Sequence, residues 1–361
     1  MRILIAGGGT GGHVFPALAV AQQLRRSDPA GQILFVGGRG GLEERLVPIE
    51  GFDLQTLAVG KLKGTRLLGR LKTLGGLAPA AVRGLSIVNR FGPDVVVGVG
   101  GYASGPVTLA AWLRRVPIVL LEQNAVGGMT NRMLSRFADR VVLSYAEAAR
   151  SFAARKTVHL GNPVRPALLE ALAGAADREI ATESPRLLVL GGSQGASRLN
   201  ELVAEAAPAL FEALPGLSIE HQTGNRDHAS VASRYEAWPA AHAVAFIDDM
   251  AAAYAAADLA LSRSGATTLA ELAVAGVPAV LVPYPHAADD HQVANARHLV
   301  DAGAAKMVLQ HELDAASLTA QLIELLSSPE RMTSMRTAML ACGRPDAAAA
   351  VVELLGTLAA R

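Results

Sequence analysis

A chain of 361 residues, 51% apolar and 18% charged, is too apolar for a disordered segment and long enough for two domains with separate cores. A formal net charge of +1 gives no general case for nucleic-acid binding. One cysteine, Cys342, excludes an internal disulfide and a thiolate metal cluster, and fits a reducing cytosol.

The chain starts as a strand rather than a signal peptide, residues 2–6, and runs into Gly7-Gly8-Gly9-Thr10-Gly11-Gly12 and His13. A helix is expected from about Val14, with Val14, Leu18 and Ala21 on one face and Ala17, Val20 and Leu24 beside them. Glycines let a ligand approach the backbone closely, and the amides and dipole of the new helix attract an anion. The turn therefore reads as a phosphate or diphosphate seat. The plainest rival is a tight turn that binds nothing. Gly7-x-Gly9-x-x-Gly12 also fits the dinucleotide fingerprint, which wants a carboxylate closing the second strand. That strand, Gln32–Val36, ends in Gly37-Gly38-Arg39-Gly40 without one. Arg39 meeting a 2′-phosphate keeps an NADP oxidoreductase as an alternative.

Residues 54–93 hold no acid but carry Lys61, Lys63, Arg66, Arg70, Lys72, Arg83 and Arg90, interleaved with Leu62, Leu67, Leu68, Leu71, Leu74 and Leu77. Basic residues at an anionic leaflet contribute about 1 kcal/mol each, and embedded leucines add apolar burial. We read Lys61, Lys63, Arg66, Arg70 and Lys72 as a membrane patch; the rival is a basic helix pair with its leucines in the core. No run reaches the roughly 18 apolar residues of a membrane span. The longest, Leu272–Val282, is broken by Gly276 and Pro278, so the expectation is a soluble or at most peripheral protein.

Strands at 94–99, 118–121 and 140–143 continue the first half, alternating with helices as in a parallel sheet covered on both faces. Gly98, Gly100, Gly101, Tyr102, Ser104 and Gly105 form another glycine cluster at a strand end, and Glu122-Gln123-Asn124 ends the next strand. After Gly161-Asn-Pro-Val-Arg165 the pattern stops. It restarts at Arg186–Leu190, followed by Gly191-Gly192-Ser193-Gln194-Gly195-Ala196, the same strand, glycine turn and helix. Further strands are expected at 218–221, 243–246, 259–261, 279–282 and 305–308. The expected fold is α/β, two doubly wound domains facing across a cleft, residues 1–162 and 163–342.

In the second half, Ser264 or Gly265 can start a helix carrying Thr267 and Thr268, with Glu271 about two turns in, where a carboxylate can accept both hydroxyls of a ribose. An ordinary surface glutamate is the rival. Beyond it, His286, Asp289, Asp290, His291, Gln292 and Asn295 crowd one loop, yet their spacing fits no familiar metal set. Without an Asp-x-Asp pair, diphosphate charge falls to amides, hydroxyls and arginines. Anion seats in both halves imply two phosphorylated substrates.

These motifs together, Gly7–Pro16, Gly100–Pro106, Glu122–Asn124, Gly161–Arg165, Gly191–Ala196 and Arg263–Ala266, resemble the MurG family (glycosyltransferase family 28). They run in family order from residue 5 to about 295. Members of that family move N-acetylglucosamine from UDP-N-acetylglucosamine onto lipid I, undecaprenyl-diphospho-muramoylpentapeptide, in peptidoglycan synthesis. The resemblance implies a GT-B fold, with a C-terminal helix in 343–361 crossing back onto the first domain. It implies that Arg165 and the backbone of Ile247 meet uracil, and that Glu271 holds the ribose. Ser193 and the amides around Ala266 and Thr267 hold the diphosphate, and Thr268, Leu269 and Ala270 belong to the same donor site. Asn124, Gln292 and the backbone at Thr10, Gly11 and Gly12 frame the sugar. Gly9, Gly100, Gly101, Tyr102 and Ser104 receive the diphosphate of the acceptor. It implies further an anionic membrane surface as partner, a peripheral place on the cytoplasmic face of the bacterial inner membrane, and no nucleic acid. No obligatory cofactor is expected, though a divalent metal can stimulate. Members differ in length after His286, so the sugar contact falls on Gln292 rather than His291 by aligning back from Asn295.

An α-linked donor and a β-linked product imply one in-line displacement with inversion. His13 is the first candidate for general base: the helix dipole should keep it neutral. Equally, it can serve as a structural donor to the glycine loop. Glu122 is the second candidate. The rivals are a GT-B transferase for another lipid or natural-product acceptor, and a non-catalytic nucleotide-sugar sensor.

Overall fold

A computed structural model describes residues 1–58, 67–174, 180, 183–191 and 196–360, and of 67–78 the backbone only. Lys61, Lys63, Arg66 and Ser193 lie outside the described residues, as do the side chains of Arg70 and Lys72. The chain forms two units, Met1–Pro166 with Pro345–Arg361, and Ala167–Arg344. The division after Pro166 puts Arg165 in the first unit.

The first unit opens with β1 (Arg2–Ala6), α1 (Gly11–Ser27), β2 (Gln32–Gly38), α2 (Glu43–Ile49), β3 (Asp53–Leu57) and α3 (Leu67–Phe91). It continues through β4 (Val95–Gly98), α4 (Ser104–Leu113), β5 (Ile118–Glu122), α5 (Met129–Leu134), β6 (Arg140–Leu143) and β7 (Thr157–His159). The seven strands are parallel in the order β3-β2-β1-β4-β5-β6-β7. Successive side chains of a strand point to opposite faces. Ile3, Ile5, Val95, Val97, Val119 and Leu121 accordingly enter one core, while Leu4, Ala6, Val96, Ile118 and Leu120 enter the other.

The short α6 (Pro166–Ala171) leads into the second unit: β8 (Arg186–Leu190), α7 (Ser197–Ala213), β9 (Ser218–Gln222), α8 (His228–Tyr235), β10 (Ala241–Val244) and α9 (Met250–Ala256). There follow β11 (Leu259–Ser262), α10 (Ala266–Ala275), β12 (Ala279–Leu281), α11 (His291–Asp301), β13 (Ala305–Met307), α12 (Ala315–Leu326) and α13 (Pro329–Cys342). Its six strands are parallel in the order β10-β9-β8-β11-β12-β13. Finally α14 (Ala347–Ala359) returns to the first unit, where Val351, Leu355 and Leu358 join the core of Ile3, Ile5 and Leu18.

Two α/β units with parallel sheets bear out the expected fold class. Three local expectations are corrected. α1 starts at Gly11, three residues early, because the amides of His13 and Val14 both reach the Thr10 carbonyl at 3.1 Å. β3 and β7 went unpredicted; both are edge strands, half-exposed and mixed in polarity, without the apolar runs of the sheet centre. β10 ends at Val244 rather than 246, in register with β9 from Ala241 opposite Ile219 to Val244 opposite Gln222. Phe246 and Ile247 thereby fall in the loop that follows. Among the described residues no helix is long and apolar enough to cross a membrane.

Candidate active site

In each unit the strand order reverses beside the first strand, between β1 and β4 and between β8 and β11. In open α/β sheets ligands bind outside the carboxyl ends of the strands at such a switch point. Gly7 to Gly12, Gly100, Gly101, Gly191 and Gly265 lie there.

In the first unit two glycine loops pack backbone on backbone. Gly7, Gly8, Gly9, Gly100 and Gly101 all have positive φ, between 80° and 140°. The Gly8 amide donates to the Gly100 carbonyl at 3.3 Å. A Cβ on Gly7 would sit 2.2 Å from that oxygen, and one on Gly101 2.5 Å from the Gly8 oxygen. His13 stands over the junction, with Nδ1 3.2 Å from the Gly8 carbonyl and 3.5 Å from Thr10 Oγ1. A carbonyl only accepts, so Nδ1 carries a proton, and in the neutral ring Nε2 is the basic nitrogen. Gly100 gives the ring its room, since a Cβ there would lie 2.9 Å from Nε2.

Gly9, Thr10 and Gly12 are exposed at this loop, Gly11 is partly so, and the Tyr102 side chain is half-exposed beside it. Ser104 is not brought with them: its hydroxyl is buried near Gly98. A larger departure concerns the anion seat. The Gly9 amide already donates to a carboxylate, Glu43 Oε2, at 2.7 Å, and the Gly38 amide to Glu43 Oε1 at 2.9 Å. Glu43 was not singled out in the sequence. The signal available was the unusual density of glycines, 37, 38, 40 and 41, just before it.

Glu122 ends β5 and is buried, with three N–H donors on its carboxylate. Oε1 accepts from Asn124 N at 3.1 Å; Oε2 accepts from Gly128 N at 2.8 Å and Asn131 Nδ2 at 3.0 Å. That cage orients Asn124, which remains half-buried at the strand end. Arg165 places its guanidinium 5.1 Å from the Phe15 ring centroid, within the first unit.

In the second unit the extended Gly265 caps α10, whose first turn presents the amides of Ala266, Thr267 and Thr268. The Leu269 amide is spent inside the helix on the Gly265 carbonyl at 3.0 Å and its side chain is buried. Ala270 lies a residue deeper in the helix. The Ser264 and Thr267 hydroxyls are buried at this terminus without a hydrogen-bond partner among the described residues. Buried hydroxyls are normally satisfied, and here they flank the positive end of a helix, as an anion's ligands would.

The same terminus is held from behind. Gln292 Oε1 accepts from the amides of Ser264 (3.2 Å) and Tyr284 (2.9 Å), and Asn295 Nδ2 donates to the Ser264 carbonyl at 3.1 Å. Arg263 donates to the Val282 and Pro283 carbonyls and to Gln310 Oε1, and burial lowers its pKa. Glu271 is buried on α10, where the Tyr254 hydroxyl donates to Oε2 at 2.9 Å. The Ile247 amide donates to Gln222 Oε1 at 3.1 Å and is already engaged. Among the described residues no three His, Cys, Asp or Glu side chains converge on a metal position.

Sequence reasoning also missed a buried polar chain beside Gly191, at the end of β8. His221 contacts Tyr235 Oη through Nδ1 (2.8 Å) and Asn200 Oδ1 through Nε2 (3.1 Å). Asn200 Nδ2 donates to the Thr223 carbonyl at 2.8 Å and to Asp227 at 2.9 Å, and Ser197 donates to the same Asp227 oxygen. Burial drives the His221 pKa down to about 3.

Comparison with known proteins agrees with this layout. The glycosyltransferase family 28 N-terminal domain matches residues 3–143, and the glycosyltransferase family 28 C-terminal domain matches 186–351. A protein of Anaeromyxobacter sp. (strain Fw109-5) is 48% identical over all of this chain and 94% of its own length. It is named UDP-N-acetylglucosamine--N-acetylmuramyl-(pentapeptide) pyrophosphoryl-undecaprenol N-acetylglucosamine transferase. A protein of the same name from Myxococcus xanthus is 44% identical, covering 98% of this chain and 92% of its own. The crystal structure of Acinetobacter baumannii MurG superposes with a TM-score of 0.77 at 34% identity, covering 99% of each chain. Two parallel-sheet units, the glycine turn at the first unit's switch point and likeness along the full length leave one assignment: the chain belongs to glycosyltransferase family 28.

Proposed function

We propose that the protein transfers N-acetylglucosamine from UDP-N-acetylglucosamine to the C4 hydroxyl of the muramyl sugar of lipid I, with inversion. The carrying observation is the full-length likeness to relatives named for this transfer. The site chemistry supports it. The first turn of α10, with the buried hydroxyls of Ser264 and Thr267, suits the donor diphosphate, whose negative charge grows as it leaves. Glu271, aligned by Tyr254, suits the ribose hydroxyls. In the transfer, C4–O–C1 forms as the bond from C1 to the diphosphate oxygen breaks, and the hydroxyl proton passes to His13 Nε2. Glu122, with three N–H donors on its oxygens, keeps the Asn124 loop in place rather than taking that proton.

A membrane-bound acceptor is supported by exposed apolar side chains on α4 and α5: Trp112, Leu113, Met129 and Met133, 48–63% exposed. Trp112 also lines a cavity of about 520 Å³ with Phe137, Arg115, Arg140, Arg155 and Lys156. Apolar side chains next to cations suit an anionic lipid surface, here beyond the 61–72 segment.

The test is transfer of labelled N-acetylglucosamine from its UDP donor to a lipid I analogue, with UDP-glucose and UDP-N-acetylgalactosamine as control donors. Selective transfer to the muramyl acceptor is expected. Donor binding without transfer would redirect the search to other lipid-linked acceptors.

A further inference from the structure

Glu43 is the first residue of α2 and only 2% exposed, an unusual place for a carboxylate. The backbone is shaped around it. A Cβ on Gly8, Gly37 or Gly41 would lie 2.4, 2.4 and 2.3 Å from Glu43 side-chain atoms, so three glycines leave room for one acid. Its two oxygens take the amides of Gly9 and Gly38, which tie the first glycine turn to the end of β2. Gly8, immediately before Gly9, supplies the carbonyl that receives His13 Nδ1. Glu43 thus sets the peptide whose orientation selects the His13 tautomer.

We propose that Glu43 is a positioning residue for His13: its carboxylate holds the Gly8–Gly9 turn so that the Gly8 carbonyl takes the Nδ1 proton and Nε2 remains the acceptor in the neutral ring. The catalytic part rests on His13 being the base of the proposed transfer. An acid is required because two N–H groups converge on it. An amide would turn its own NH₂ toward one of them, and the turn would have to move.

The test uses the full chain labelled with ¹⁵N-histidine, with long-range ¹H–¹⁵N spectra to read the tautomer and a His13→Asn spectrum to identify the His13 signals. In the wild-type protein Nδ1 is expected to be protonated. In Glu43→Gln the signal should move toward the other tautomer or a mixture. Its kcat should fall about 10- to 100-fold, part of the roughly 10²- to 10⁴-fold a placed base contributes. KM for UDP-N-acetylglucosamine should stay within about twofold, since the loss is confined to the transition state. Gly41→Ala covers the case in which Glu43→Gln fails to fold: it keeps the acid but presses a methyl on it, and should reproduce both effects. Adding Glu43→Asp to Gly41→Ala should restore part of each.

A wild-type His13 protonated on Nε2 overturns the proposal, as does a Glu43→Gln protein that keeps both tautomer and kcat. A moved tautomer with unchanged kcat upholds the Glu43–His13 coupling and overturns His13 as the base. Absence of transfer in the wild-type protein overturns the proposed function while the spectra still decide the coupling.

Discussion

Tyr254, on α9, donates its hydroxyl to Glu271, on α10, at 2.9 Å, both side chains being buried. The bond fixes a carboxylate rotamer from outside its own helix. Tyr254→Phe keeps the ring and removes that bond. A hydrogen bond to a carboxylate contributes roughly 1.5–3 kcal/mol, of which a part should reach the ligand as a KM about 3- to 10-fold higher for UDP-N-acetylglucosamine, with kcat little changed. Steady-state kinetics with the 2′-deoxyuridine donor adds a control: the variant should discriminate less between the two donors than the wild type.

Glu122→Gln separates an orienting carboxylate from a base. An amide cannot accept from three N–H donors, so the Asn124–Gly128 turn loosens, at a cost of about 1–3 kcal/mol. A Tm several degrees lower, with kcat reduced but its pH profile unshifted, is expected. Loss of kcat at unchanged Tm would instead make Glu122 a proton acceptor.

His221 makes stability pH-dependent. Burial holds its folded pKa at about 3, below the ordinary 6.5, so the unfolded chain binds the proton first. Between those values unfolding takes up a proton; stability is full above about 6.5 and is lost as pH falls toward 3. The slope is about 1.4 kcal/mol per pH unit, or about 2 kcal/mol between pH 7.5 and pH 5. Urea midpoints at the two pH values should show it, and His221→Gln should flatten the difference.

Met133→Glu on α5 should weaken binding to vesicles with anionic lipid several-fold, because an acid replaces an exposed apolar group. Transfer to a water-soluble acceptor analogue should be unaffected. Equal vesicle binding by both proteins would move the membrane contact elsewhere.

Legibility in the sequence followed burial. β1, β4, β5 and β6 carry apolar side chains on both faces and stand out as runs of Val, Ile and Leu. β3 and β7, at sheet edges, answer partly to solvent and carry no such run. Glycine turns were legible because their geometry admits little else. The groups behind them were not, since Glu43 and Tyr254 act across folds of the chain that local spacing does not encode. Ile247 was expected to offer its backbone, and the spacing gave no sign that Gln222, adjacent only once β9 and β10 pair, takes its amide.

Leu355 carries a prediction of its own. It is fully buried on α14 against the first unit's core, so Leu355→Ala should cost about 2–5 kcal/mol. Calorimetry should show the loss in one transition, with the second unit's melting unmoved where the two resolve.

The same helix bears on how the chain is made. Ribosomes deliver the polypeptide from its amino end, and domains generally fold as they emerge. All seven strands of the first sheet are synthesised before the second unit, yet one patch of that sheet's packing waits for α14. Until translation passes residue 359 the nascent protein shows uncovered apolar surface, a natural target for chaperones and proteases. Stalled or truncated products therefore carry a visible mark of incompleteness at the opposite end of the chain from the break.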